Sequence, residues 1–467
     1  MNRSISRRRF LAQATLGTAG AMVLRSGASA RSYQANEQVR CAVIGAGGRG
    51  RTFLGENTAA MVDVDARRAA ASFQRYPDVP KFEDWRVMLD QMHSQIDAVI
   101  ICTPDHTHAG PAAAAMRLGK HVYLEKPLTH SVHEARVLTE LAEETGVVTQ
   151  MGNQGGYNVQ AVEHVRAGTL GEIRTVHLQG AHRTPHAVGG PRPTPTGTHE
   201  VPDGLNWDLW VGPAPYRPYN PVWMTPEWRI WRDFSTGDLG GWGPHLFATE
   251  FKALKIGRLW QPREGEESPR IRVTAECSDD CPDGVCRVTF PRWSIVHWDL
   301  PAREEFPPIR LTYTYSDEAW IATIRELFQE HPDWGDADTF RDEYRWRCEI
   351  CVGTKGLMRT TGHGSSNMEL LPAGQFEDVG APPESLSRPL RRPGIRGWTE
   401  AIQGGLPPMC DFAFSGPFTE WYLLGNVATL FPQETLEYDP IAGRIVNHEA
   451  ADRACRPEYR EGWVLSS

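Results

Sequence analysis

Residues 45–50 read Gly-Ala-Gly-Gly-Arg-Gly and interrupt a short apolar run, Cys41 to Ile44, with glycines spaced as GxGxxG. In that spacing Gly45 permits a tight turn, Gly47 lets backbone approach a pyrophosphate, and Gly50 allows a helix to pack closely on the strand. Gly48 and Arg49 complete the loop, and the free N–H groups of a following helix would face the phosphates. The same pattern is also that of an ordinary glycine-rich turn. Two more polar clusters end apolar runs: Thr103-Pro104-Asp105-His106-Thr107-His108 and Glu125-Lys126-Pro127. Ligands bind at the carboxyl ends of parallel strands, where these residues would lie. Glu125 and Lys126 also read as a solvated ion pair.

To place these clusters side by side the chain needs a parallel βα sheet, and the apolar runs supply one. Cys41 to Ile44, Met61-Val62, Ile96 to Cys102, His121 to Leu124 and Val147 to Met151 read as buried strands. A small-residue helix over 112–118 is closed by Gly119. Ser131 and Glu134 form a capping box before Val137, Leu138 and Leu141, which share a helical face. This predicts an α/β dinucleotide-binding domain over 37–151, with 152–467 as a second unit. Asp63 stands where a carboxylate binds the adenosine ribose hydroxyls, with Asp65 and Arg67 behind it. It follows Gly50 by 13 residues, where about 20 are usual. Either the first crossover is truncated or the sequence carries an internal deletion.

The N-terminus reads as an export signal: Ser6-Arg7-Arg8-Arg9-Phe10-Leu11, an apolar stretch to Leu24, then Ala28-Ser29-Ala30 as a cleavage site. It resembles a twin-arginine signal over 1–30. The apolar run, closed by Arg25, falls short of the ~20 residues of a span. Residues 1–30 hold five arginines and no acids, so cleavage moves the formal charge from -9 to -14. That balance argues against nucleic acid and against stable association with an anionic membrane, while the signal and its cleavage site predict a periplasmic protein. Cys277, Cys281 and Cys286 suit a local disulfide or free thiols better than zinc, since the spacing lacks paired CxxC knuckles and a fourth ligand. Cys348 and Cys351 fall in a strand running from Tyr344 to Val352, where residues three apart face opposite ways.

The three strand-end motifs together resemble the glucose-fructose oxidoreductase and inositol dehydrogenase family, written Gfo/Idh/MocA. Gln150-Met-Gly-Asn153-Gln154, Gly353-Thr-Lys-Gly356, Phe418-Thr-Glu420 and Gly425-Asn-Val-Ala428 extend the resemblance into 152–467. It implies a Rossmann domain followed by an α/β domain with a large, mostly antiparallel open sheet, which would also mediate homo-oligomerisation. It implies NAD or NADP, sugars or polyols as substrates, and Lys126 reaching both the nicotinamide end and the reacting oxygen. An ammonium there can polarise a carbinol and help remove its proton. Thr103, Pro104, His108, Glu125 and Asn153 join the cofactor set, with Lys126 and Asn153 also facing substrate.

Beyond Asn153, residues 183–226 are rich in proline and glycine. Trp207, Trp210, Trp223, Trp228, Trp231 and Trp242 put six of 16 tryptophans within 36 residues. They read equally as a wall for sugar rings or as packing for a long loop. The stretch from Trp231 and Arg232 through Asp238 to His245 resembles the family segment carrying DxxxH, whose aspartate and histidine share a helix face, and the resemblance implies that Trp231, Arg232, Asp238 and His245 face the substrate. His245 would be the acid/base, but Gly241 occupies the aspartate position. Asp238 and Glu250 are nearby carboxylates. From 271 to 357 the chain reads as strands, with 316–336 as a loop or short helix; 378–396 reads as a surface excursion, and 398–404 and 419–430 as helices.

Three functions fit. One is an exported NAD(P)-dependent oxidoreductase of a carbohydrate or polyol hydroxyl, using Lys126 and His245 with a tightly held cofactor. Another is a glycoside-cleaving enzyme that oxidises a ring hydroxyl transiently, eliminates and reverses the oxidation. The third is a non-catalytic sugar-binding or sensor protein, which Gly241 favours.

Overall fold

The computed structural model describes residues 38–180, 190–224, 226–261, 265, 267–343, 348–386 and 394–465. The expected export signal and the arm before Gln38 lie outside them. No helix among the described residues is long and apolar enough to cross a membrane.

Six short strands form the first sheet: β1 (Cys41–Ile44), β2 (Thr58–Val62), β3 (Lys81–Phe82), β4 (Ala98–Ile101), β5 (His121–Glu125) and β6 (Thr149–Gly152). All neighbours are parallel, in the order β3-β2-β1-β4-β5-β6. β1, β2, β4, β5 and β6 are buried throughout, which is why β1 and β4 read as unbroken apolar runs. Strand order reverses between β1 and β4, the switch point where such sheets open a crevice. The helix Val132–Thr145 begins with the complete Ser131/Glu134 capping box.

The first crossover is truncated: between β1 and β2 there is only a 3-10 turn, Arg49–Phe53. This corrects the expectation of a helix whose N-terminus faces the phosphates. It also changes why the loop is glycine-rich. Gly45 has φ +89°, and a Cβ there would lie 2.7 Å from the Cys102 carbonyl oxygen. A Cβ on Gly47 would lie 2.7 Å from the Arg68 carbonyl carbon, so Gly47 admits the helix Ala66–Arg75 rather than opening toward a ligand.

The second sheet has nine strands: β7 (Ile173–Gln179), β8 (Ile271–Cys277), β9 (Ser294–Leu300), β10 (Ile309–Tyr315), β11 (Cys348–Gly353), β12 (Gly356–Thr361), β13 (Asn367–Leu371), β14 (Leu436–Asp439) and β15 (Arg444–Ile445). Their order is β13-β12-β11-β7-β10-β9-β8-β14-β15. Among the described residues only β7 and β10 pair in parallel. The fold is therefore a Rossmann-type domain followed by an α/β domain with a large, mostly antiparallel sheet.

The stretch after β10 is a full helix, Asp317–Glu330, not a loop. Ser316 caps it, and Trp320, Ile324, Leu327 and Phe328 bury one face, a 3.6-residue period present in the sequence. Cys281 and Cys286 form a disulfide, and Cys348 and Cys351 are free, buried and on opposite faces of β11. Residues 344–347 and 387–393 are outside the described set.

The helix Phe412–Ala428 joins the two sheets. It begins seven residues earlier than the sequence pattern suggested, because Asp411 caps it and Pro417 lies inside it. Arg136 from the first domain, Trp260 and Tyr438 all donate to Glu420 Oε2. A Cβ on Gly425 would lie 2.6 Å from Leu239 Cδ2. That close approach seats the helix Gly237–Leu246, which forms one side of the crevice.

Candidate active site

A cleft of about 430 Å³ opens at the β1/β4 switch point. On the first-domain side it is lined by Gly45, Gly48, Arg49, Asp63, Thr103, Pro104, Glu125 and Lys126. Asp63 ends β2 and uses both oxygens on the loop: Gly47 N–H donates to Oδ2 at 2.6 Å and Asp65 N–H to Oδ1 at 2.9 Å. A carboxylate has about four acceptor sites, so capacity remains for two ribose hydroxyls. Burial raises its pKa, while the two backbone N–H groups pull it down. Asp65 caps the following helix and pairs with Arg67 at 2.7 Å. Arg68 lines the cleft beside Asp63, which the sequence did not single out.

Glu125 is not the solvated partner of Lys126. It is 7% exposed, its pKa is raised first by burial, and it accepts from Arg49 Nε at 3.1 Å. This pair ties the glycine loop to the end of β5. Lys126 turns the other way, across the cleft. Its Nζ donates to the Gly241 carbonyl at 2.6 Å and lies 5.6 Å from the centre of the Trp242 ring.

The opposite side is the helix Gly237–Leu246, which presents Gly241, Trp242 and His245 to the cleft. His245 is 2% exposed, and its Nδ1 lies 2.9 Å from the Asn153 carbonyl oxygen. A carbonyl only accepts, so Nδ1 carries the proton. Nε2 is then the basic nitrogen of the neutral ring. Asn153 is itself fixed: Nδ2 donates to the Pro244 carbonyl and Oδ1 accepts from Gly156 N–H. It holds His245 from behind, and Gln154 takes its place on the cleft lining.

Several residues expected at the site are braces. Both ring nitrogens of His108 face backbone carbonyls, those of Pro127 and Thr103, each at 2.8 Å, and the side chain does not line the cleft. Burial lowers His106 to about 4, and its neutral ring sits between the carbonyls of Phe234 and Trp210. Asp105 accepts from Thr236 N–H and Oγ1 at 3.0 and 2.8 Å, at the start of the His245 helix. The second strand-end motif thus positions the far wall.

Trp231 is 2% exposed and packs edge-on against Trp223, away from the cleft. Arg232 is spent on the carbonyls of Cys286, Thr289 and Asn426 and on the Thr429 hydroxyl. Neither can contact a substrate in the cleft. Asp238 faces away too and accepts from Tyr313 OH at 2.7 Å. Glu250 is 2% exposed, is raised by burial to about 8 and lies beside buried Glu349. Neither carboxylate replaces the one missing at Gly241. A Cβ on Gly241 would meet no described atom within 4 Å.

The tryptophans divide between both roles read from the sequence. Trp207, Trp210, Trp223 and Trp231 form a core under the long segment, while Trp210, Trp228 and Trp242 line the cleft. The sequence reading missed His363. It comes from the turn after β12 and lines the cleft next to His245. Its only local signal was a histidine in the turn Gly362-His363-Gly364, a few residues past the Gly353-to-Gly356 motif and far in sequence from His245.

Residues 39–153 match the oxidoreductase family model described as GFO_IDH_MocA, NAD-binding Rossmann fold, and residues 189–251 match that family's C-terminal alpha/beta domain. The scyllo-inositol 2-dehydrogenase (NAD(+)) of Bacillus subtilis (strain 168) is 32% identical over 156 residues, covering 31% of this chain and 45% of the relative. A glycosyl hydrolase family 109 protein of Solibacter usitatus (strain Ellin6076) is 32% identical over 198 residues, covering 36% of this chain and 44% of the relative. The chain thus spans less than half the length of these relatives. A crystal structure of an inositol dehydrogenase homolog complexed with NADH and myo-inositol from Azotobacter vinelandii aligns over 86% of this chain and 98% of that chain, at 17% identity and TM-score 0.46. The Gfo/Idh/MocA family matches thus fall on both the glycine-loop side and the His245 side of the cleft, over residues 39–153 and 189–251.

Proposed function

We propose that the protein is an exported NAD(P)-dependent oxidoreductase that acts on a carbohydrate or polyol hydroxyl and retains its cofactor. The observation that carries this reading is the meeting of Lys126 Nζ and the His245 helix across the cleft that also holds Asp63 and the glycine loop. The residues suit a dinucleotide: Gly45 brings β1 against β4, Gly48 leaves open space, and Asp63 keeps acceptor capacity. A bound nicotinamide supplies the hydride acceptor. Lys126 polarises the carbinol oxygen, and Nε2 of His245 takes the hydroxyl proton. Trp228 and Trp242 offer ring faces to the apolar side of a sugar.

A glycoside-cleaving variant of the same chemistry is supported by the likeness to the glycosyl hydrolase family 109 protein. Transient oxidation of a ring hydroxyl acidifies the neighbouring C–H, elimination expels the aglycone and leaves an enone, water adds back across that double bond, and re-reduction of the carbonyl restores the sugar. Product analysis separates the two: a released aglycone without net cofactor reduction supports cleavage, and a keto sugar supports oxidation.

Export is supported by Arg7, Arg8 and the Ala28-Ser29-Ala30 site. A nicotinamide lost outside the cytoplasm would not be replaced, so the reading requires slow release. Retention through hours of dialysis needs a dissociation rate of about 10⁻⁵ s⁻¹, which at an association rate of about 10⁵ M⁻¹ s⁻¹ is a Kd of roughly 0.1 nM, or about 14 kcal/mol. Mass spectrometry of the exported protein should find Arg31 at or near its start, and an intact 1–30 segment would contradict cleavage. Homo-oligomerisation through the large sheet belongs to the same reading. Light scattering of the purified protein tests it.

A further inference from the structure

His245 is nearly sealed from water, and a proton taken by Nε2 must leave through a neighbour. The turn between β12 and β13 supplies one. It places the exposed His363 ring edge-on to His245, with ring centres 4.6 Å apart, and Trp242 packs on both at 5.7 and 5.9 Å.

The turn is fastened to the elements that carry His245. Gly364 N–H donates to the His245 carbonyl at 2.9 Å, and a Cβ on Gly364 would lie 2.9 Å from the Gly155 carbonyl carbon. Ser365 is fully buried. Its hydroxyl donates to Glu349 Oε2 at 3.1 Å and accepts from Thr249 at 2.8 Å, while its carbonyl accepts from Asn158 Nδ2 at 2.7 Å. An exposed imidazole is thus held at a fixed place on the cleft wall, against the ring of the buried one. Among the described residues, the titratable groups around this pair are Lys126, on the face of Trp242, and behind the turn the buried carboxyls of Glu349 and Glu250, which burial pushes toward their protonated forms.

We propose that His363 is the proton relay between His245 and solvent, and that the two imidazoles share one proton. This rests on the reading of His245 as the base in carbinol oxidation. In that direction the substrate O–H bond breaks and its proton passes to His245 Nε2. The C–H electron pair leaves as hydride to the nicotinamide, and the carbon–oxygen double bond forms. His245 then hands the proton to His363, directly or through one water, and His363 releases it to bulk solvent. Reduction of a carbonyl runs the same path backwards.

Histidine-ring NMR on the purified, folded protein tests the pair without any sugar. In wild type the His245 ring should titrate in two steps separated by about one pH unit, because the first proton opposes the second at this distance. In His363→Gln, with His363→Asn as a second variant to control for the turn, it should titrate in one. A single His245 step with an unchanged midpoint in all three proteins overturns the proposal, whether or not any sugar is turned over. With an active sugar, His363→Ala should lower kcat on the order of tenfold at unchanged KM, with the rate restored by imidazole buffer. Undiminished turnover in that variant also overturns it. Turnover that survives loss of both Lys126 and His245 would instead sink the reading of the site itself, and the NMR result would stand apart from it.

Discussion

The two walls of the cleft are built in different ways. The first-domain wall comes from successive strand ends, so Gly45, Asp63, Thr103 and Lys126 each follow a short apolar run and converge because a parallel sheet aligns its carboxyl ends. The opposite wall is assembled from Asn153, residues 241–245 and His363, which the long Phe412–Ala428 helix and the nine-stranded sheet bring together. The first wall is a general holder for a dinucleotide. The second carries what distinguishes this chain: Gly241 in place of a carboxylate, Trp242, and a pair of imidazoles.

The largest expected effect is at the residue that crosses from one wall to the other. Lys126→Ala should lower turnover by about 10³-fold or more, while thermal stability falls by no more than the ~1 kcal/mol of a lost hydrogen bond. His245→Ala should cost less, about 10²-fold. If both variants turn over at the wild-type rate, the chemistry lies elsewhere.

Arg232 gives the opposite outcome. Arg232→Ala strands three backbone carbonyls and the Thr429 hydroxyl and should cost about 3 kcal/mol in denaturant unfolding. Cofactor content in the folded fraction should stay at the wild-type level. A loss of cofactor at unchanged stability would return Arg232 to the site.

Glu250 concerns the support behind the second wall. Burial raises it from 4.5 to about 8, so the fold favours its protonated form. That contribution is complete below pH 4.5 and is lost as pH rises through about 8. Glu250→Gln should therefore flatten the decline in melting temperature across that window, with Glu349 leaving a residual slope. An unchanged slope would show that the carboxyl is not held neutral.

The smallest effect tests the missing carboxylate. Gly241→Asp meets open space at Cβ and puts an acid four residues before His245 on one helix face. Alcohol oxidation should rise, by on the order of tenfold. No gain would show that the imidazole pair already does what the carboxylate would do.

Local signals explain what the sequence disclosed. A buried parallel strand is often a short apolar run and a capping box is two residues three apart, so five of the six strands of the first sheet and the Val132–Thr145 helix were readable directly, while the two-residue β3 was not and Lys126 was singled out by the family resemblance. Roles that depend on long-range partners were not. His108 and Arg232 look like site residues by type and position, yet carbonyls occupy them, from Thr103 and Pro127 for His108 and from as far as residue 426 for Arg232. The short path from Gly50 to Asp63 did announce its truncated crossover. It did not announce that the Arg68 backbone would take the space beside Gly47. His363 could not be placed, because no periodicity links a turn after β12 to a helix more than a hundred residues earlier.

The central claim is that this cleft holds a nicotinamide cofactor which Lys126 helps to reduce. The measurement is the nicotinamide released on denaturing extensively dialysed protein, with the reduced-nicotinamide absorbance of the intact protein followed across a sugar panel in wild type and Lys126→Ala. The account predicts close to one equivalent per chain in both proteins, and reduction by at least one sugar in wild type alone. Less than about a tenth of an equivalent in folded protein, or equal reduction in the lysine variant, would contradict it.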